Sequence, residues 1–230
     1  MIFFCCLSFY QTNAQNGLFF EKKYLYGGLA FKFSENYTDN KNRLVYTVYD
    51  EKRNDFSINI QGGYFINSNT AFGAQINYGH TRTIGKQLGS SGQLADVNLE
   101  KESWASFGTM KNFIPLGNKH RFFLYNLAML GYVAKNSLEE STSQGVLQRT
   151  YSQDKSVELN LAPGLMVNVI KGFAVETGMQ IAGFQYAWSN SVIDGVPTTK
   201  QHSVSGDFTI NLLRLNLGFY YYFSIKGKTK

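Results

Sequence analysis

Apolar and polar residues alternate with a period of two along most of this chain. That spacing predicts extended strands, because successive side chains of a strand point to opposite faces. Eight such stretches are found. The first, Tyr24 to Ser34, sets Leu25, Leu29, Phe31 and Phe33 against Tyr26, Gly28, Ala30 and Lys32. The second, Asp55 to Ile66, sets Phe56, Ile58, Ile60 and Tyr64 against Ser57, Asn59, Gln61 and Gly63. The third, Thr70 to Ile84, sets Phe72, Ala74, Ile76 and Tyr78 against Gly73, Gln75, Asn77 and Gly79.

Two stretches are ambiguous in phase. Between Ser103 and Ile114, placing Lys111 inward sends Trp104, Met110 and Ile114 outward. Between Arg121 and Ala134 both faces are apolar, and Phe123, Tyr125, Leu127, Met129 and Val133 are assigned to the outer face. The sixth stretch, Ser156 to Val169, sets Val157, Leu159, Leu161, Leu165 and Val167 against Glu158, Asn160, Gly164 and Met166. Pro163 lies in its middle and cannot donate to a ladder, so a bulge or kink is expected there. The seventh, Phe173 to Trp188, sets Val175, Thr177, Met179 and Ile181 against Glu176, Gly178 and Gln180. The eighth, Asn211 to Phe223, puts Leu213, Leu215, Leu217, Phe219, Tyr221 and Phe223 opposite Arg214, Asn216, Gly218 and Tyr220.

The connections alternate in length. Those at 67–69, 115–120 and 170–172 are short, whereas 35–54, 85–102, 135–155 and 189–205 are long. This is the rhythm of an up-and-down meander with tight turns at one end and tall loops at the other. The expectation is an all-β, eight-stranded antiparallel up-and-down transmembrane β-barrel over residues 20–223, with strand one pairing the last strand. An eight-stranded barrel is just wide enough to be filled by side chains, which suits the small and hydrogen-bonding residues of the polar face to its interior. A soluble barrel would instead gather the apolar face around a ligand.

Composition agrees with this reading. The 230 residues include 19 Phe and 15 Tyr, 2 Trp and 3 Pro. Aromatics favour strands and boundaries between dry and wet surroundings. No run approaches the ~18 apolar residues of a spanning helix, so a membrane crossing would have to use strands closed on themselves. Residues 1–9 are apolar and Thr12-Asn-Ala14 follows, so residues 1–14 are expected to be a signal peptide cleaved after Ala14. The basic stretch that usually opens such a segment is missing, so the true start is expected upstream. Both cysteines, Cys5 and Cys6, lie inside it. The mature chain is therefore expected to lack disulfides, thiolate nucleophiles and thiolate metal sites. Residues 224–230 form a basic tail expected on the periplasmic side.

These features resemble the small eight-stranded outer-membrane β-barrel proteins of Gram-negative bacteria, the OmpA-, OmpX- and OmpW-like group. The resemblance rests on the export segment, the Leu161-Ala-Pro-Gly164 step and the aromatic-ended Phe219-x-Tyr221-x-Phe223. It implies an outer-membrane location with long loops extracellular and both termini periplasmic. It further implies that Phe219, Tyr221 and Phe223 form the C-terminal insertion signal read by the barrel-assembly machinery. Outer-membrane lipids and lipopolysaccharide are the expected partners of a monomeric barrel. Aromatic girdles are expected at Phe31, Phe33, Phe56 and Tyr78 on the outer boundary, and at Phe72, Phe123, Phe173 and Tyr221 on the inner one.

Candidate chemistry is sparse. Lys32, Lys111, Glu158, Glu176 and Arg214 are the charges assigned inward, and buried charges must pair. Arg214 is expected to find Glu176 or Glu158 on the neighbouring strands. The network reads as a structural plug, with a gated conduit for small solutes or hydrophobic ligands as the alternative. His80 and His202-Ser203 lie at the height where a lipid-modifying barrel would hold its site, yet nothing in their spacing sets up a Ser–His–carboxylate arrangement. No spacing of His, Asp or Glu suggests a metal, and no cofactor motif is present. The net charge of +6 is dispersed rather than gathered into a nucleic-acid-binding face. The expected role is a non-catalytic barrel that supports the envelope or presents its loops for binding or adhesion.

Overall fold

The computed structural model describes residues 24–38, 41–42, 47–88, 94–117, 121–143, 145–170, 172–208 and 216–224. The segment 1–14, Arg214, His120 and the tail beyond Ser224 lie outside these described residues. Within them the chain is an antiparallel sheet of eleven strands with no helix. They are β1 (Tyr24–Thr38), β2 (Lys41–Asn42), β3 (Thr47–Phe65), β4 (Thr70–Leu88), β5 (Leu94–Leu116) and β6 (Phe122–Ser143). There follow β7 (Val146–Ile170), β8 (Phe173–Gly178), β9 (Ala182–Ile193), β10 (Val196–Phe208) and β11 (Asn216–Ser224). Eleven strands thus stand where the alternation predicts eight. The difference comes from the two-residue β2, from the division of the seventh predicted stretch into β8 and β9, and from β10, which occupies most of the expected long connection 189–205.

The pairing runs β1-β3-β4-β5-β6-β7-β8-β11 and returns to β1, so the sheet closes on itself at one end. Closure removes the exposed edges that an open sheet would offer. The seam joins Leu25 to Phe223 and Leu29 to Phe219. The closed end carries the short turns. Asn67 organises one of them by accepting hydrogen bonds on Oδ1 from the backbone N–H groups of Asn69 and Thr70, at 2.9 and 2.7 Å. Backbone bonds from Phe113 to Asn69 and from Tyr222 to Gly172 stitch these turns to neighbouring strands.

At the other end the strands continue far past what a bilayer requires. β7 is 25 residues long, against the roughly 9–11 of a membrane-crossing strand. Most of the predicted long loops are therefore ladder rather than loop. β9 and β10 meet through Asp194-Gly195 alone, with Ile193 paired to Val196. Both turn residues have positive φ, 48° and 84°. A two-residue hairpin of matching twist needs that conformation.

Pro163 acts on its neighbour rather than on its own strand. β7 runs unbroken through it. Its carbonyl accepts from Met179 N–H at 3.1 Å, so the absent N–H is missing from the ladder on that same side. Gly164 pairs Gly178, whereas Leu161 pairs Ala182. Three steps along β7 thus face four along its partner, and residues 179–181 form the interruption between β8 and β9. One extra residue inverts the alternation. Glu176 points inward before the bulge, while Phe184 and Tyr186 are exposed after it.

The outer surface is apolar where the alternation predicts it. Phe31, Ile60, Ile76, Trp104, Leu159 and Leu217 are all exposed. β6 is the correction. Phe123, Tyr125, Leu127, Met129 and Val133 are buried inside, while Phe122, Leu124, Leu130 and Tyr132 are exposed. Register decides this, because directly paired residues of neighbouring strands share a face. Leu127 pairs Lys111 and Tyr125 pairs Phe113, both of them inward. Phe123 consequently leaves the expected inner girdle, and Phe122 takes its place on the outer face.

Candidate functional site

The interior has two storeys. The closed end is filled by Phe65, Phe113, Phe123, Met166, Ala174 and Tyr222, all buried. Their rings interlock: Phe65 stacks on Phe113 at 5.5 Å, and Phe113 meets Tyr222 edge-on at 6.2 Å. Such a cluster is packed core, and it leaves that end of the barrel sealed by side chains.

Directly above it lies a buried ion pair. Lys111 comes from β5 and Glu176 from β8, and their side chains are 1% and 2% exposed. Lys111 Nζ donates to Glu176 Oε2, and Tyr222 donates its hydroxyl to Glu176 Oε1. The ammonium also lies 4.5 Å from the ring centroids of both Tyr125 and Tyr220. A dry, hydrogen-bonded and ring-flanked pair is how a charge is tolerated in an interior, since an isolated one would be prohibitively costly. Tyr220 is fixed in turn by donating to Gln61 Oε1 at 3.0 Å.

Above the pair the lumen opens into a cup of about 390 Å³ with a mixed polar and apolar lining, bordered by Lys111, Glu176, Tyr125 and Tyr220. One wall is made by β3 and β4, where Asn59 pairs Asn77 and Gln61 pairs Gln75 in register. The opposite wall carries Asn160 and Gln180, joined by a 2.8 Å bond from Gln180 Nε2 to Asn160 Oδ1. Glu158 accepts from Ser156 at 3.0 Å and from Asn160 at 3.3 Å, and Lys135 lies 4.0 Å away. Lys32 borders the cup as an exposed side chain and joins no ion pair among the described residues.

The five charges singled out in the sequence are therefore distributed as follows. Lys111 and Glu176 meet directly. Glu158 meets Lys135, a residue the alternation alone did not single out. Lys32 stands apart, and Arg214 lies outside the described residues. Glu176, expected to serve Arg214, is occupied by Lys111 and Tyr222. The signal for that pairing was the inward phase of Lys111, but only the strand order brings β5 and β8 across the lumen from one another. Phe219, Tyr221 and Phe223 line up on the outer face of β11, all exposed.

Beyond the apolar band, a second polar cluster surrounds Asp55. On the outer face of β3, Phe56 is followed by the polar Asn54 and Lys52. Asp55 accepts from Thr81 at 2.6 Å, from Arg53 Nε at 3.0 Å and from Ser34 at 3.2 Å. Burial alone would raise its pKa. The Thr81, Arg53 and Ser34 hydrogen bonds, together with the Arg53 charge, outweigh burial and hold the carboxyl below the usual aspartate range.

Among the described residues, His80 and His202 do not come together with a serine and a carboxylate. His80 pairs in register with Phe56 and Glu102, and His202 with Trp188. Neither hydrogen-bonds a serine or a carboxylate among the described residues. Nor do those residues contain a group of three His, Cys, Asp or Glu positioned to hold a metal.

No protein-family model matches the chain, and no curated protein matches it in sequence. Among solved structures it is similar to Ail, the attachment invasion locus protein of Yersinia pestis. That match has 14% identity and a TM-score of 0.36, and covers 88% of this chain and 99% of that one. It is similar to Neisserial surface protein A at 18% identity and a TM-score of 0.29, over 86% of this chain and 94% of that one. It is also similar to the ferric yersiniabactin uptake receptor FyuA of Yersinia pestis. There the identity is 11% and the TM-score 0.34, over 86% of this chain and 32% of the receptor. At these identities the role of each residue rests on the geometry of this chain alone.

Proposed function

We propose that this chain is a non-catalytic barrel of the Gram-negative outer membrane. In this reading it crosses the bilayer with eight traverses, seals its lumen at the periplasmic end and carries tall hairpins outside the cell. The traverse count follows if β8 with β9, and β10 with β11, each act as one path. The first of these is supported by the bonds from Met179 to Pro163 and from Ile181 to Leu161, which keep β8 and β9 on one line along β7. The apolar outer band supports lipid contact. The long β5, β6 and β7 support hairpins that stand above the membrane for binding or adhesion. Both termini then lie in the periplasm, and Phe219, Tyr221 and Phe223 act as the insertion signal for the barrel-assembly machinery. Lipids and lipopolysaccharide surround a monomer.

The observation that carries this reading is the sealed floor. Phe65, Phe113 and Tyr222 close the section beneath a neutral, fully buried Lys111–Glu176 pair. A conduit for solutes would need a wet path through that section. A lipid-modifying enzyme would need His80 or His202 within reach of a serine and a carboxylate, an arrangement the described residues do not make. The test is conductance of the refolded full chain in planar bilayers. The reading predicts a silent barrel, and large steady single-channel currents would overturn it.

A further inference from the structure

The outer surface differs from one sector of the barrel to another where its apolar band ends. On β6, β7 and β9 a ring cluster marks that limit, with Trp188 centred 6.2 Å from Tyr132 and 5.9 Å from Tyr186. Below it the exposed Leu159 and Phe184, paired in register, continue the apolar face. Above it Gln153 pairs Asn190 and Asn190 pairs Lys200, so the face turns polar within one row. Cations stand at that step. Lys155 pairs Trp188, and Trp188 pairs His202. Directly paired residues share a face, as do residues two apart along a strand. Lys155, His202 and Lys200 therefore front one surface, with their Cα atoms within about 12 Å of one another.

These cations lack a counter-charge. Asp154 and Glu158 are close to Lys155 in sequence but belong to the inner face, where Asp154 accepts from Ser189 and Glu158 from Ser156. The outer face of β7, β9 and β10 carries no acid among the described residues. Elsewhere on the outer face Lys52 meets Glu35 at 2.7 Å, Arg82 meets Glu100 at 3.5 Å and Arg149 meets Glu140 at 2.9 Å. Those charges are already neutralised, whereas Lys155 and Lys200 join no ion pair among the described residues.

We infer that this sector docks the phosphate headgroup of a lipid in the surrounding leaflet. Apolar strand, rings and cations follow one another in the order of acyl chain, interface and phosphate in a lipid. A lysine stem lies along apolar surface while its ammonium reaches the headgroup level, which suits Lys155 beside Trp188. An acidic protein would match the charge but leave the apolar surface beneath it unused. The inference rests on the membrane reading above. Were that reading wrong, brominated lipid would fail to quench Trp104; loss of headgroup selection alone would leave that quenching intact.

The test is native mass spectrometry of the refolded full chain in neutral detergent, titrated with dioleoylphosphatidic acid and with dioleoylglycerol, which differ by the phosphate. The acid is expected to be retained at least tenfold more strongly, as about one tightly held molecule per barrel. The combined Lys155→Gln and Lys200→Gln variant should weaken retention about tenfold, and Lys155→Gln alone serves if that variant fails to fold. The combined Lys52→Gln and Arg82→Gln variant, in the neutralised sector, should retain the lipid as wild type does. Four results would overturn the inference, given a barrel whose faster unboiled gel mobility proves it folded. They are equal retention of the two lipids, an unchanged affinity in the Lys155 variants, an equal loss in the control variant, and displacement by equimolar inorganic phosphate or polyglutamate.

Discussion

Lys111 and Glu176 face each other across the barrel interior as an ion pair that solvent barely reaches, with Tyr222 holding the second carboxylate oxygen. Breaking such a pair from one side leaves a buried charge without a counter-charge, which costs about 3–5 kcal/mol. Lys111→Met should therefore destabilise the folded barrel by about that amount in urea titrations in lipid vesicles. The double variant Lys111→Met with Glu176→Leu should regain most of it, because matched apolar replacement removes both desolvation penalties. A single variant as stable as wild type would place the pair outside the dry core.

Glycines on the two faces should respond oppositely to a methyl group. A Cβ on Gly131 would lie 2.1 Å from the Ser106 carbonyl oxygen and 2.5 Å from the Phe107 ring, whereas one on Gly27 meets nothing within 4 Å. Overpacking of a filled interior costs about 1–3 kcal/mol. Gly131→Ala is expected to lose stability in that range and Gly27→Ala to stay close to wild type, as read by the midpoint of urea unfolding.

The β9–β10 hairpin depends on its turn. Gly195 has φ +84° and the Cβ-bearing Asp194 has φ +48°, so a β-branched residue at Gly195 is strained whatever space surrounds it. Gly195→Val should loosen the β9–β10 hairpin locally by about 1 kcal/mol or more. Limited proteolysis should show faster cutting at this hairpin while the band of folded barrel on an unboiled gel persists. Unchanged cutting would mean that the hairpin is held elsewhere.

Asp55 gives the hairpin base an acid-sensitive element. Its folded-state pKa lies below the unfolded value, so its contribution is present above the unfolded aspartate pKa of about 4 and is lost as pH falls through the lower folded value. Asp55→Asn should be less stable than wild type at pH 7, and the gap should narrow below about pH 4. Urea unfolding at both pH values checks this. A gap that widens in acid would contradict the assignment.

How much could be read from the sequence depended on contrast between the two faces. On β1, β3, β4 and β7, Phe, Ile and Leu alternate with Gly, Asn and Gln, and the inward set follows directly. On β5 a single residue, Lys111, resolved the phase. On β6 both faces are apolar, so hydrophobicity could not choose between them. Only pairing to Lys111 and Phe113 turns Leu127 and Tyr125 inward. The Pro163 disturbance was legible, but its place was not. The lost donor weakens the ladder on the side where Met179 sits, so the neighbouring strand bulges while β7 runs on. The candidate site was legible only as a set of inward charges. Which of them meet depends on barrel closure, which carries β8 across from β5.

The central claim is that the apolar outer face lies against lipid, and Trp104 tests it most directly. The residue is 56% exposed on that face, beside Tyr78 with ring centroids 4.7 Å apart. With Trp188→Phe removing the other indole, the fluorescence of Trp104 can be followed in vesicles containing brominated phospholipids. Strong quenching by the brominated chains and little by aqueous acrylamide is expected. Efficient acrylamide quenching with no effect of the brominated lipid would contradict it.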